Sequence, residues 1–333
     1  MKFGMRVHGG LPATKCVEFA RLAEQVGFET LWFAENPFNR GVWPAMTASL
    51  LATDRITIGI GVFNPYNRHP TLIAMEIAAF DELAKGRTAL GIGSGIGDRV
   101  TRMGLSYAKP LAALRDCTTI VRGMLRGETV THSGAVFSVE NVRLECPVLR
   151  PDMPIYLAAT GDGALRLAGQ IADGVMISNM SPPGFTIRAR GLVAAGAEKA
   201  GRAPPAAVVQ YVPCVLREDP AEARQIVRAT IADMLSAYWR MGTVSPLIRE
   251  AMVRESGIAM EEFAGAMAAL DAGQELGILD DRYIDNYSLA GDPAGFAEGV
   301  ERFAAAGVTE LVLTLVGPEP ERTAKLLKEE LLF

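Results

Sequence analysis

Short apolar runs alternate with longer segments whose apolar residues recur every three or four positions, and this alternation continues along nearly the whole 333-residue chain. Lys2 to Val7 predicts a strand. Thr14 to Val26 predicts a helix, with Val17, Phe19, Ala20, Leu22, Ala23 and Val26 at helical spacing and Thr14 as its cap. Gly27 stops that helix, and Glu29 to Ala34 returns to strand character around Leu31-Trp32-Phe33. The same grammar gives a helix near Trp43 to Thr53, a strand Ile56 to Val62, a helix Thr71 to Leu83, a strand Thr88 to Ile92 and a helix near Leu111 to Met124. Glu128 to Leu144 departs from it: Thr129-Val130-Thr131 and Val136-Phe137-Ser138-Val139 flank Gly134, the pattern of a β-hairpin. Strand and helix then resume with Ile155 to Ala159, Asp162 to Ile171, Gly174 to Ile177, Phe185 to Ala200 and Ala207 to Val215. Pro220 to Gly277 is rich in Ala, Met, Leu and Glu and predicts helix throughout. Asp292-Pro293 opens another helix, Glu310 to Leu315 is the last buried strand, and a terminal helix runs from about Glu319 to Leu331.

Strands centred near residues 4, 32, 59, 90, 157, 176, 211 and 313 make eight. Eight parallel strands alternating with helices close into a (β/α)8 TIM barrel, here expected as a single domain over 1–333. It carries a β-hairpin insertion at about 126–145 and a helical insertion at about 219–290, before the last strand. A doubly wound sheet is the alternative. It concentrates its site at one reversal of strand order, whereas polar or glycine-rich loops follow many successive strands here.

Composition narrows the function. A net charge of -5 argues against a dedicated nucleic-acid binder, and no stretch approaches the ~20 apolar residues of a membrane span. The start MKFGMRVHGG has no leader pattern, so a cytoplasmic location is expected. Cys16, Cys117, Cys146 and Cys214 lack paired or metal-like spacing and read as reduced thiols. His8, His69 and His132 stand far apart with no acidic residues at ligand spacing, so no catalytic metal is expected.

A barrel brings its strand-end loops to one rim: Arg6 and His8, Glu35 and Asn36, Asn64 to His69, Gly93 to Asp98, Thr160 to Gly163, and Ser178 with Asn179. The run Gly59-Ile60-Gly61-Val62-Phe63-Asn64-Pro65-Tyr66-Asn67-Arg68-His69-Pro70 is the densest in chemistry, since its glycines admit close approach and its polar side chains follow within a few residues. Each candidate has two readings. Arg6 either meets an anionic ligand or pairs with Glu35, and Arg68 either neutralises a ligand or pairs with Glu76 or Asp81. His8 and His69 either contact substrate or tie down loops. Asn64 can donate and accept at the edge of a heterocycle, and Asp98 either orients substrate or caps a helix. The amides after Thr160-Gly161 suit a phosphate, unless the Asp162 carboxylate caps that helix itself. Tyr238 and Trp239 in the helical insertion either line a lid or a subunit interface, or are buried.

The segments FGMRVHG, LWFAENPF, GIGVFNPYNRHP, LGIGSGIGD and YLAATGDGALRLAGQIADGVMISN resemble the bacterial-luciferase-like superfamily of flavin- and deazaflavin-dependent oxidoreductases, in its methylenetetrahydromethanopterin-reductase-like branch. The resemblance covers nearly the whole chain. It implies a non-prolyl cis peptide at Gly61-Val62 forming a bulge behind a reactive ring, with Asn64 nearby and Gly93 on the next strand. It places the phosphate side at Thr160, Gly161, Ile177, Ser178 and Asn179. The implied chemistry is hydride transfer through coenzyme F420, or an FMN-dependent luciferase-like monooxygenase using reduced flavin and oxygen, with NAD(P)H available as a co-substrate to reduce the FMN. A non-catalytic barrel that binds the same cofactors is a third reading. Glu35, Asn64 and Asp98 would carry the reaction, with Arg6, His8, Asn36, Arg68 and His69 around a small-molecule substrate. A homodimer or higher homo-oligomer is also implied. One departure stands out: methylenetetrahydromethanopterin reductases carry a glutamate where this chain has Arg6, which favours an acidic or oxyanionic substrate.

Overall fold

The computed structural model describes residues 1–330, with the side chains of His8 and Glu330 outside that description. Its strands are β1 (Lys2–His8), β2 (Thr30–Ala34), β3 (Thr57–Phe63), β4 (Thr88–Gly93), β5 (Val130–Ser133), β6 (Ser138–Val142), β7 (Ile155–Ala158), β8 (Gly174–Ile177), β9 (Ala207–Leu216), β10 (Leu289–Gly291) and β11 (Glu310–Leu315). The helices are α1 (Ala13–Val26), α2 (Val42–Leu51), α3 (Pro70–Leu83), α4 (Gly97–Arg102), α5 (Pro110–Leu125), α6 (Asp162–Ile171), α7 (Pro183–Lys199), α8 (Pro220–Met241), α9 (Pro246–Val253), α10 (Met260–Asp271), α11 (Asp281–Tyr287), α12 (Pro293–Ala305) and α13 (Pro320–Glu330).

Parallel pairing runs β1-β2-β3-β4-β7-β8-β9-β11 and returns to β1, closing an eight-stranded barrel inside its helices. Every expected strand centre lies in one of these eight strands, and β5 and β6 form the expected antiparallel hairpin. That hairpin is pinned by Asp116 on α5, which accepts from the Val136 and Phe137 amides at 2.8 and 3.1 Å and faces His132 Nε2 at 3.0 Å.

Side-chain alternation along the strands builds two packed layers. Met5 and Val7, Leu31 and Phe33, Ile58 and Ile60, and Leu90 and Ile92 face outward into the core under the helices. The inward face carries Trp32, Met176, Val209, Tyr211 and Val312. Glycines make room for them: a Cβ on Gly59 would sit 2.6 Å from the Trp32 ring, and one on Gly91 would sit 2.5 Å from Met176 Sδ. At the base of the barrel Glu310 Oε1 accepts from Thr30 Oγ1 at 2.6 Å and Trp32 Nε1 at 2.7 Å. Burial pushes that carboxyl above its usual range, against the two hydrogen bonds that favour its charged form.

Three local expectations need correction. Thr14 does not cap α1; the capping position is Pro12, so the helix begins two residues earlier than that cap would require. Pro220 to Gly277 is not continuous helix but α8, α9 and α10 followed by a 3-10 turn at Leu276–Ile278, which pack around Phe263, Tyr283 and Tyr287 as a second apolar cluster. The short strand β10 was hidden at the end of the helical insertion: it pairs with Cys214 to Leu216 of β9, beyond the point where β8 ends. Cys16, Cys117 and Cys214 are buried and Cys146 is exposed, all as free thiols. Among the described residues no helix is long and apolar enough to cross a membrane, and no group of three acidic, histidine or cysteine side chains is placed to hold a metal.

Candidate active site

The carboxyl ends of the barrel strands gather the candidate residues on one rim. At its centre is a cis peptide between Gly61 and Val62, where the β3–β4 register shifts between Ile60 and Phe63. The bulge needs small neighbours. A Cβ on Gly93 would lie 2.7 Å from Val62 Cγ2, and one on Gly61 would lie 2.7 Å from Met176 Cε. Tyr211 OH donates to the Gly61 carbonyl at 3.4 Å. These contacts bring the backbone of Gly61 and Val62 and the Gly93 position together at the ends of β3 and β4, a shelf against which a flat ring can lie.

The loop after β3 is folded by its own side chains. Asn64 is buried, and its Oδ1 accepts from the Tyr66 and Asn67 amides at 3.0 and 2.9 Å, an Asx-type turn. Its Nδ2 has no partner among the described residues, and a Cβ on Gly95 would come within 2.9 Å of that nitrogen. Tyr66 donates to the Ala108 carbonyl at 2.8 Å, and Tyr107 donates to Ser94 Oγ at 3.1 Å, so the loops after β3 and β4 are tied together. Burial pushes the Tyr66 phenol up to about 12, which keeps it a donor. His69 sits at the capping position of α3, its Nδ1 accepting from the Thr71 amide at 3.3 Å. Burial lowers its pKa, consistent with a neutral acceptor.

Arg68 resolves one open pairing. It donates to Glu35 Oε1 at 2.8 Å and to both Glu76 oxygens at 2.8 and 2.6 Å, while its guanidinium lies 5.0 Å from the centre of the Phe63 ring. Asp81, the other partner considered for it, is bonded to Arg150 instead. Glu35 is therefore not the partner of Arg6. Its second oxygen, Oε2, is buried and unpartnered. Asn36 Oδ1 accepts from the Phe38 amide at 3.1 Å, an Asx turn that shapes the loop after β2. Asp98 is exposed in the first turn of α4, 3.8 Å from Arg102, and is not brought into the rim's interior. His8 ends β1, with its side chain outside the described residues.

On the opposite side, Gly161 occupies the capping position of α6. Asp162 is the first residue of the helix rather than its cap, and its carboxylate is bonded to Arg188, which holds its pKa below the usual range. Ile177 and Asn179 are buried, and Asn179 Oδ1 has no partner. Ser178 Oγ lies 3.1 Å from Tyr238 OH, and the Leu247 side chain covers Gly161, so α8 and α9 reach over Gly161 and Ser178; Thr160 stands beside them, partly exposed. Tyr238 thus faces the mouth, while Trp239 stacks on Phe263 inside the insertion at 5.4 Å.

Two clefts of about 460 and 480 Å3 open elsewhere, on the outside of the barrel around α5. Ion pairs already take up part of their linings, Arg122 with Asp173 and Asp116 with His132, whereas the rim holds the buried, unpartnered Glu35 Oε2 and Asn179 Oδ1 and is the better candidate. Sequence reasoning did not single out Tyr211 or Thr314, whose Oγ1 is buried without a partner, as rim residues. Both lie in apolar strands, and the signal available was a polar group at an inward position, Tyr211 in β9 and Thr314 with Glu310 in β11.

The family model described as Luciferase-like monooxygenase matches residues 1–310. The chain belongs to this bacterial-luciferase-like family. Within it the chain falls in the methylenetetrahydromethanopterin-reductase-like branch. It is 31% identical over 338 residues to 5,10-methylenetetrahydromethanopterin reductase of Methanolobus tindarius, covering 100% of both chains. It is 26% identical over 334 residues to an F420-dependent glucose-6-phosphate dehydrogenase of Microbacterium testaceum, covering 95% of this chain and 91% of that one. The solved coenzyme F420 dependent tetrahydromethanopterin reductase from Methanopyrus kandleri superposes with a TM-score of 0.86 at 26% identity, over 99% of this chain and 97% of that one. The chain is an oxidoreductase-family barrel of the flavin and deazaflavin type.

Proposed function

We propose that this protein is an F420-dependent oxidoreductase that transfers hydride between the deazaflavin and an organic substrate. The observation that carries the reading is the gathering on one rim of buried polar groups with free valences, Glu35 Oε2 and Asn179 Oδ1, with buried Asn64 beside the closely packed glycines at the ends of β3 and β4. Relatives that match this chain over most of its length and carry F420 in their names favour the deazaflavin over FMN. Bound there, F420 would supply the hydride chemistry; the protein supplies orientation and electrostatics.

In this reading Gly61 and Val62 support one face of the ring, and Asn64 Nδ2 is the free donor at its edge. Gly161, Ser178 and Asn179, with Thr160 and Ile177, hold the phosphate side, and the approach of Tyr238 and Leu247 closes it from above. Of the two carboxylates expected to handle a proton, Glu35 is kept, since its Oε2 is buried and unpartnered, and the exposed Asp98 is released. Arg68 acts through Glu35, by holding its other oxygen. Self-association is part of the proposal, with a second copy seated on the outward side of α3, where Leu72, Met75 and Leu83 are exposed and are flanked by Glu76 and Glu82.

Spectral titration of the stripped protein with F420 and FMN tests the cofactor. F420 binding at least tenfold tighter than FMN supports the reading; selective FMN binding overturns it.

A further inference from the structure

Arg6 is a guanidinium without a counter-charge. On β1 it shares the inward face with Gly4, opposite Trp32, and its guanidinium carbon lies 5.3 Å from the centre of the Tyr211 ring. Its Nε is buried and has no acceptor, and no ion pair joins it to a carboxylate among the described residues. The acidic groups nearest in the fold are committed elsewhere. Glu35 is held by Arg68, and Glu310 accepts from Thr30 and Trp32. Glu310 is also too far away: it pairs in register with Lys2, four residues before Arg6, which is roughly 13 Å along the strand. Tyr211 is no anionic partner either, because burial raises its phenol and keeps it protonated.

A second donor stands beside it. The β1–β11 register ends at Met5 opposite Leu313, so the next pair sets Thr314 across from Arg6 on the inward face, and Thr314 Oγ1 is buried without a partner. The position is tied to the ring shelf through Tyr211, whose ring lies under Arg6 and whose hydroxyl meets the Gly61 carbonyl. A planar fork of donors, a neighbouring hydroxyl and no acid in reach are what a carboxylate or phosphate requires.

We infer that the substrate of this barrel carries an oxyanionic group, a carboxylate or a phosphate, seated on Arg6 and Thr314 beside the Gly61-Val62 shelf. Calling the ligand a substrate rests on the hydride-transfer reading; the anion seat itself does not. Its position on the shelf assigns the anion to the substrate and leaves the cofactor's phosphate on the Ser178 side.

The test uses the full chain and three small aromatic probes, benzoate, phenyl phosphate and the neutral benzamide, with dissociation constants from calorimetry. One anionic probe should bind at least tenfold tighter than benzamide, about 1.4 kcal/mol. Which anion wins tells carboxylate from phosphate. Arg6→Gln should erase the preference, Arg6→Lys should restore part of it, and Thr314→Val should weaken the anion alone. F420 affinity should change less than twofold in all three variants. Equal binding of charged and neutral probes overturns the inference, as does an anion preference that survives Arg6→Gln. A loss of F420 affinity in Arg6→Gln also overturns it, by giving Arg6 to the cofactor. If F420 fails to bind the native chain while the anion preference holds, the hydride-transfer reading falls and the anion seat stands.

Discussion

Replacing Arg68 by methionine keeps an apolar stem over Phe63 and removes the charge that Glu35 and Glu76 share. Glu35 is then left with no partner for either oxygen, on a side chain only 10% exposed. Breaking a buried pair by deleting one partner costs roughly 3–5 kcal/mol, because the surviving charge is uncompensated. The low end applies, since Glu76 is 26% exposed and recovers water. We expect a loss of about 3 kcal/mol, which at ~2.1 cal/mol/K per residue lowers Tm by roughly 4 °C in a chain of this length. Arg68→Met/Glu35→Gln should recover about half of that loss, because the orphaned charge is gone. Thermal melts at matched scan rates, with F420 titrations alongside, measure both quantities. A Tm shift below about 1 °C in Arg68→Met, accompanied by loss of ligand affinity, would refute the reasoning and return Arg68 to ligand binding.

Gly93→Ala places a Cβ 2.7 Å from Val62 Cγ2 and should cost about 1–3 kcal/mol while weakening F420 at least tenfold. Gly191→Ala on α7, with open space around its Cβ, is the control and should leave binding unchanged in the same titration. Glu310→Gln keeps the acceptor for Thr30 and Trp32 but removes the buried charge. The folded-state pKa of Glu310 is raised, so its native form is most favoured at low pH and loses stability as pH rises from the ordinary carboxylate value through the raised one. The Tm advantage of Glu310→Gln over the native chain should therefore grow from about pH 4 upward, and an advantage that shrinks with pH would contradict the assignment. Leu72→Glu/Met75→Glu on α3 should convert an associated species to monomer by light scattering, with Tm within a few degrees of native; an unchanged mass would remove α3 as the contact.

The barrel was legible because its signals are local. Strand runs, helix periodicity and stops such as Gly27 are each set within a dozen residues, and all eight strand centres lie in barrel strands. Pairings between distant residues were not legible. Glu35 was read only as a partner for Arg6, and its pairing with Arg68 depends on how the loop after β3 folds around Asn64. Glu310 looked like an ordinary strand-opening residue, since its partners Thr30 and Trp32 lie about 280 positions earlier and meet it only through barrel closure. The strand β10 is three residues long and owes its pairing to the unusual length of β9, which no local pattern announces. The glycines were read as room for a ligand; several also make room for Trp32 and Met176.

Closure of the barrel rests on a pairing between its most distant strands, Lys2 opposite Glu310. On the ribosome, at ~5–20 residues per second, β1 is complete roughly 15–60 s before β11 has been made. During that interval one edge of β1 has no strand to pair with and the inward Trp32 lacks its Glu310 acceptor. Slowing translation near the end of the message should lengthen this exposure, making the yield of soluble protein sensitive to codon choice just ahead of β11.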